Sequence, residues 1–291
     1  MIGCIKREIL NPIVIKTTAF IFFLLLVSVL TAKSQAAFQV VVKGQGQPVL
    51  LFPGFACTGE VWDETVAELS KTHQCHVFTF AGFGNVAPIE GQWLAKIKDD
   101  VLAYVKERKL KKPILLGHSL GGTLSLWLAS IEPDMFSKII AVEALPSSAA
   151  LMIPGYKGEP ISYDNPQSKM MLRMDSASFA AMNAQTVPYM CKNAEKQKVL
   201  IDWMNKADRK TYVYGYVDML NLDLREAIVR IKIPVIVLGA ANPDKTTVEK
   251  TYKAQYEKLA SVVIHYAENS AHFVMYDQPN WFMEKLLNNL K

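Results

Sequence analysis

Short apolar runs alternate with amphipathic stretches along most of this chain. Phe38-Gln-Val-Val-Val-Lys43, a turn over Gly44-Gln-Gly-Gln-Pro48 and Val49-Leu-Leu-Phe52 predict strand, turn, strand. Helical periodicity over 60–71 leads into the short apolar strand Cys75-His-Val-Phe-Thr-Phe80. From Trp93 to Leu110, Leu94, Ile97, Val101, Leu102 and Val105 share one helical face. Pro113-Ile-Leu-Leu116 reads as a strand, 120–131 as a helix, and Lys138-Ile-Ile-Ala-Val142 as a strand ending at Glu143. Over 146–222 the rhythm changes to helical fragments without strand alternation. It resumes with Pro234-Val-Ile-Val-Leu238, a helix over 246–260, Val262-Val-Ile-His265 and a terminal helix from Asn280.

Strands that alternate with helices predict an α/β fold, a mostly parallel sheet with helices on both faces. The division expected is a first part of the core over 37–145, a helical cap insertion over 146–222 and a second part of the core over 223–291. Residues 1–36 stand apart. Lys6, Arg7 and Lys16 precede an apolar run over 17–30, and small and polar residues follow to Ser34-Gln-Ala36-Ala37. That is the pattern of a secretory signal with Ala36 the last residue removed, so a secreted or periplasmic protein is expected. A membrane enters only if this segment stays uncleaved as an anchor.

The leader changes how composition is read. Half the 291 residues are hydrophobic, ample for a large core, but much of the net charge of +5 belongs to residues 1–36. The remainder lacks the clustered Lys and Arg of a nucleic-acid binder. Cys57, Cys75 and Cys191 remain after cleavage, enough for one disulfide but no framework.

Within this scheme one junction carries chemistry. The strand at 113–116 runs into Gly117-His-Ser119-Leu-Gly121-Gly122, and a helix begins at once. Glycines flanking a serine at a strand-to-helix bend are what a nucleophile elbow requires, and the first N–H groups of the helix favour developing negative charge. On these residues the chain resembles a serine member of the α/β-hydrolase superfamily, over essentially all of 38–291.

The resemblance implies an oxyanion hole built from the backbone N–H of Leu120, after the nucleophile, and of Phe55, in Pro53-Gly54-Phe55 after the second strand. Pro53 stands where the family carries histidine. His272, in Asn269-Ser-Ala-His-Phe-Val-Met-Tyr-Asp-Gln-Pro279, resembles the family's catalytic histidine loop. His118 is expected to be structural, and His73 and His76 to be surface residues without a metal-ligand set around them. Most relatives place the triad acid where this chain has Asn242, which has no charge to offer. Two carboxylates stay open: Glu143, at the end of the fifth strand, and Asp244, just past Pro243. The cost of burying an unpartnered glutamate at a strand end favours Glu143. Asp218 and the Asp223–Arg225 segment are expected to be structural.

Eight methionines in 146–222, Met152, Met170, Met171, Met174, Met182, Met190, Met204 and Met219, fit either an adaptable apolar wall over the site or the filling of a small helical core. The resulting expectation is an exported carboxylic-ester hydrolase for small to medium apolar acyl substrates, needing no cofactor or metal. Lactonase, amidase and carbon–carbon bond hydrolase chemistry use the same triad. A non-catalytic ligand-binding member of the fold is the competing class.

Overall fold

The computed structural model describes residues 36–290, so the expected signal segment lies outside the described residues except for Ala36. The strands are β1 (Phe38–Lys43), β2 (Gln47–Phe52), β3 (His73–Phe80), β4 (Ile114–His118), β5 (Lys138–Val142), β6 (Val235–Ala240) and β7 (Val262–Ala267). They form one sheet in the spatial order β1-β3-β2-β4-β5-β6-β7. Only β1 is antiparallel to its neighbour. The central strands β4, β5 and β6 are apolar and buried almost throughout, as a parallel sheet covered on both faces demands.

The covering helices are α1 (Asp63–Leu69), preceded by a 3-10 turn over Gly59–Trp62, α2 (Trp93–Glu107) and α3 (Leu120–Ile131). The helical pattern read over 60–71 is thus two pieces, with Thr58 capping the first through its side-chain oxygen. α2 buries Trp93, Leu94, Ile97, Val101 and Val105, the stripe legible in the sequence. Nearly every residue of α3 is buried, because it packs along the centre of the sheet.

Between β5 and β6 the chain forms α4 (Ser148–Met152), α5 (Pro166–Arg173), α6 (Ser176–Met190), α7 (Ala194–Lys206) and α8 (Arg209–Asn221). The last four restart on side-chain caps: Asn165, Asp175, Asn193 and Asp208 each accept from a backbone N–H of the first turn. Met171, Phe179 and Val213 form a separate small core here, with Met174 and Met182 against it. The two ends of this insertion pair with each other, Ser147 bridging to Asp223 and Leu224 N–H donating to Pro146 O at 3.0 Å. Asp223 and Arg225 are ion-paired at 2.6 Å. The chain closes with α9 (Lys245–Gln255), α10 (Val274–Asp277) and α11 (Pro279–Leu290).

Two expectations need correction or completion. His76 is not a surface residue: it is buried, its Nδ1 2.7 Å from the Tyr104 hydroxyl and its Nε2 3.0 Å from Gln74 Oε1. Cys57, Cys75 and Cys191 are all buried free thiols. Burial pushes the Cys57 and Cys191 thiols up to about 12 and Cys75 to about 11, so none offers a thiolate. Among the described residues no helix is long and apolar enough to cross a membrane.

Candidate active site

Parallel strands deliver their C-terminal ends to one edge of the sheet, and the residues singled out above lie just beyond those ends. The register sets Phe52 beside Gly117, His118 beside Val142 and Val142 beside Leu238. Ser119 and Glu143, each one residue past its strand, therefore emerge from adjacent strands.

Ser119 has φ 53° and ψ −120°, a conformation that costs a non-glycine residue about 1–3 kcal/mol. The surroundings hold it there. Its N–H donates to Val142 O at 2.8 Å, and its carbonyl accepts from Gly122 and Thr123 N–H at 2.9 and 3.0 Å. A Cβ on Gly117 would lie 2.2 Å from the Gly121 backbone, and one on Gly121 would lie 2.4 Å from Phe52 O. The glycines are there for that close passage of chain over chain.

Glu143 also has positive φ, 49°, so the chain turns sharply as it leaves β5. Its Oε2 lies 3.2 Å from His272 Nδ1. Oε1 accepts from Ala240 N–H at 2.6 Å and from the Tyr252 hydroxyl at 3.1 Å. The side chain is 16 % exposed, and these donors answer the desolvation that such burial imposes. Burial, and then the Glu143 carboxylate, hold the Tyr252 phenol well above the usual tyrosine value, so it remains a donor. Tyr256, one turn later on the same helical face, donates to Ala144 O at 2.8 Å.

Asp244 does not reach this cluster. It is the N-cap of α9, accepting from Thr247 N–H at 2.9 Å and Thr247 Oγ1 at 2.7 Å. Those bonds hold its carboxyl below the ordinary aspartate value. The structure brings Glu143, and not Asp244, to the imidazole.

His272 sits in the loop between β7 and α10, its side chain 27 % exposed. Its carbonyl accepts from His118 Nε2 at 2.9 Å, and the two imidazole rings lie 4.7 Å apart. Since a carbonyl only accepts, His118 carries its hydrogen on Nε2. Burial, reinforced by His272, holds that ring neutral, well below the usual histidine value. His118, the residue preceding Ser119, thus ties the loop of His272 to the end of β4.

The Pro53-Gly54-Phe55 turn closes the other side. A Cβ on Gly54 would stand 2.6 Å from His118 Nδ1 and 3.4 Å from Ser119 Cβ, so the turn lies directly against the serine. Leu120 is the first residue of α3, and its N–H has no partner within the helix. The Phe55 ring stacks edge-on to Phe83 and Tyr212 at 5.3 Å and to Tyr216 at 5.7 Å. Tyr216 also lines a cavity of about 230 Å³ inside the insertion, with Met152, Ile153, Met171, Leu220 and Asn165 among its walls. Among the described residues no group of three or more His, Cys, Asp or Glu is arranged to hold a metal.

Sequence reasoning missed Tyr252 and Tyr256. Their i, i+4 spacing on the helix after β6 was the available signal, but nothing in a linear chain says that this face meets Glu143.

The family model of the alpha/beta hydrolase family matches residues 49–285. The chain is 28% identical over 196 residues to a pimeloyl-[acyl-carrier protein] methyl ester esterase of Vibrio campbellii, covering 67% of this chain and 76% of that protein. Among solved structures, a hydrolase from Pseudomonas aeruginosa superposes with TM-score 0.75 at 19% identity, covering 89% of this chain and 97% of the other. The enol-lactonase from Burkholderia xenovorans superposes with TM-score 0.69 at 18% identity, covering 87% and 96%. By this match, together with the sheet order and the strained serine, the chain belongs to the alpha/beta hydrolase family and is an esterase-like hydrolase.

Proposed function

We propose that this protein is an exported carboxylic-ester hydrolase acting on small to medium apolar acyl substrates through Ser119, His272 and Glu143. The observation that carries the reading is the 3.2 Å approach of Glu143 Oε2 to His272 Nδ1, in a loop tied to His118, the residue beside Ser119.

A carboxylate at Nδ1 keeps the hydrogen on that nitrogen and leaves the Nε2 lone pair free to take a proton. Ser119 Oγ adds to the ester carbonyl carbon as its proton passes to Nε2. The carbonyl oxygen becomes an oxyanion, held by the N–H groups of Phe55 and Leu120, each contributing about 2.7–4 kcal/mol in such sites. Collapse expels the alcohol, which leaves with the proton from His272. Water then adds to the acyl-serine with His272 again accepting the proton, releasing the carboxylic acid and restoring Ser119.

A cavity of about 230 Å³ within the insertion, walled by Met152, Ile153, Met171, Val213 and Leu220 and also by Asn165, Gln167 and Ser168, fits an acyl group of modest size. The insertion would then act as a cap over the reaction centre. Relatives that cleave a methyl ester of a carrier-bound acyl group fit the same chemistry. Export rests on the residues of 1–36.

A fluorophosphonate probe and a panel of p-nitrophenyl esters and lactones test the reading on the mature protein. Labelling and turnover that vanish in Ser119→Ala support it. Folded wild-type protein that neither labels nor hydrolyses any ester is a binder, and the proposal fails.

A further inference from the structure

We propose that Asp277 is a positioning residue for His272, through which the turn between α6 and α7 helps to hold the base. The inference rests on His272 being the base of the reaction above.

The Asp277 carboxylate lies at the end of α10, yet it bonds no N–H of its own helix. Oδ2 accepts from Ala271 N–H at 2.8 Å, the residue before His272. Oδ1 accepts from Lys192 N–H at 2.8 Å and Asn193 N–H at 3.2 Å, with the Cys191 thiol 3.5 Å away. On the other side of the histidine, Phe273 N–H donates to Met190 O at 3.0 Å. Residues 271 and 273 are therefore both fastened to residues 190–193 of the insertion, one through Asp277 and one directly.

Three consecutive residues are held by three different parts of the fold. Ala271 is held by Asp277, the His272 carbonyl by His118 on β4, and Phe273 by the insertion. With the ring anchored at Nδ1 by Glu143, the imidazole has little freedom to swing or slide. A carboxylate is suited to the task because it accepts from several donors at once, and ionised acceptors make the stronger bonds. A neutral acceptor at this position would have to leave one of the two segments unbonded. The α6–α7 turn then stays with the base, and any movement of the insertion over substrate must take place elsewhere along it.

The test compares Asp277→Asn and Asp277→Ala with Asp208→Ala, which removes the cap of α8 at Thr211 and weakens the insertion without touching the His272 loop. Two readouts are taken: steady-state hydrolysis of p-nitrophenyl butyrate, and the low-field proton resonance of the His272 Nδ1–H against Glu143. Displacement of a reacting group by about 1 Å costs on the order of a hundredfold in rate. Asp277→Ala is expected to lower kcat by about that factor with KM within roughly twofold, and Asp277→Asn, which keeps one acceptor oxygen, by about tenfold. The resonance broadens or disappears in both, while Asp208→Ala retains it. Folded Asp277→Ala with unchanged kcat and resonance overturns the proposal, leaving Asp277 a tie between segments. If that variant does not fold, Asp277→Asn decides by the same readouts. If the wild-type protein hydrolyses no ester, the functional reading fails, and the resonance still decides whether Asp277 orients His272.

Discussion

Glu143 meets His272 across 129 positions of sequence, Oε2 to Nδ1 at 3.2 Å, while its other oxygen is held by Ala240 N–H and Tyr252. The carboxylate is fixed by β6 and α9 and reaches the imidazole of the loop after β7. This geometry is what a triad acid needs, and it yields a direct comparison of the two carboxylates left open by the sequence.

Glu143→Gln should lower kcat by roughly 10³–10⁴-fold, since an amide favours the wrong imidazole tautomer. Asp244→Asn should leave kcat within about twofold, because asparagine caps a helix about as well as aspartate. Ester hydrolysis by the two purified variants checks this. Full activity in Glu143→Gln together with loss in Asp244→Asn would reverse the assignment.

Tyr252→Phe removes one donor to Glu143 and leaves the ring in place. Hydrogen bonds to charged groups contribute about 1.5–3 kcal/mol, so a stability loss in that range is expected, with a smaller fall in kcat because Ala240 N–H remains. Urea unfolding and kinetics on one preparation measure both. Unchanged stability would show that the carboxylate does not depend on this phenol.

Gly121→Ala places a methyl 2.4 Å from Phe52 O and 2.7 Å from Pro53 O, backbone atoms that cannot step aside. Overpacking typically costs about 1–3 kcal/mol, and an unyielding backbone puts this site at the upper end. Chemical denaturation should show that loss, and Ser119 should label slowly in whatever protein folds. Wild-type stability and labelling would mean that the elbow tolerates a side chain.

Acid should destabilise the fold partly through His118. Its folded pKa lies well below the unfolded value near 6.5, mainly by burial. Above that value both states are neutral and the contribution is complete. As pH falls below about 6.5 the unfolded chain takes up a proton that the folded protein refuses, and stability declines by up to about 1.4 kcal/mol per pH unit until the folded pKa is reached. His76 is lowered too, by burial and then Arg108, and adds to the same slope. Unfolding measured from pH 7.5 to 5 should be flatter in His118→Gln, which keeps a donor for the His272 carbonyl. An identical slope in the variant would show that His118 is not the titrating group.

The elements were legible because their causes are local. Period-2 and helical patterns placed the strands and helices within a few residues, and Gly117, Gly121 and Gly122 marked a bend that only a close crossing of backbone requires. The Asx caps at Asn165, Asp175, Asn193 and Asp208 were equally present in the sequence, though they announce helices without saying how those helices pack.

Burial was harder to read. His76 looked like a surface residue because it stands at a helix-to-strand junction, and it is pairing with β1 on one side and β2 on the other, with the Tyr104 hydroxyl on its ring, that encloses it. Asp277 gave no sign at all, being one acid among many until residues 190–193 arrive from the insertion.

By itself the sequence determined the order of strands and helices, the strained serine junction and the histidine loop, since each follows from residues adjacent in the chain. Only the tertiary structure decided which carboxylate meets the imidazole. That choice depends on the turn after β5, the register of β5 on β6 and the helix that occupies Asp244, and these are relations between segments that no local pattern contains.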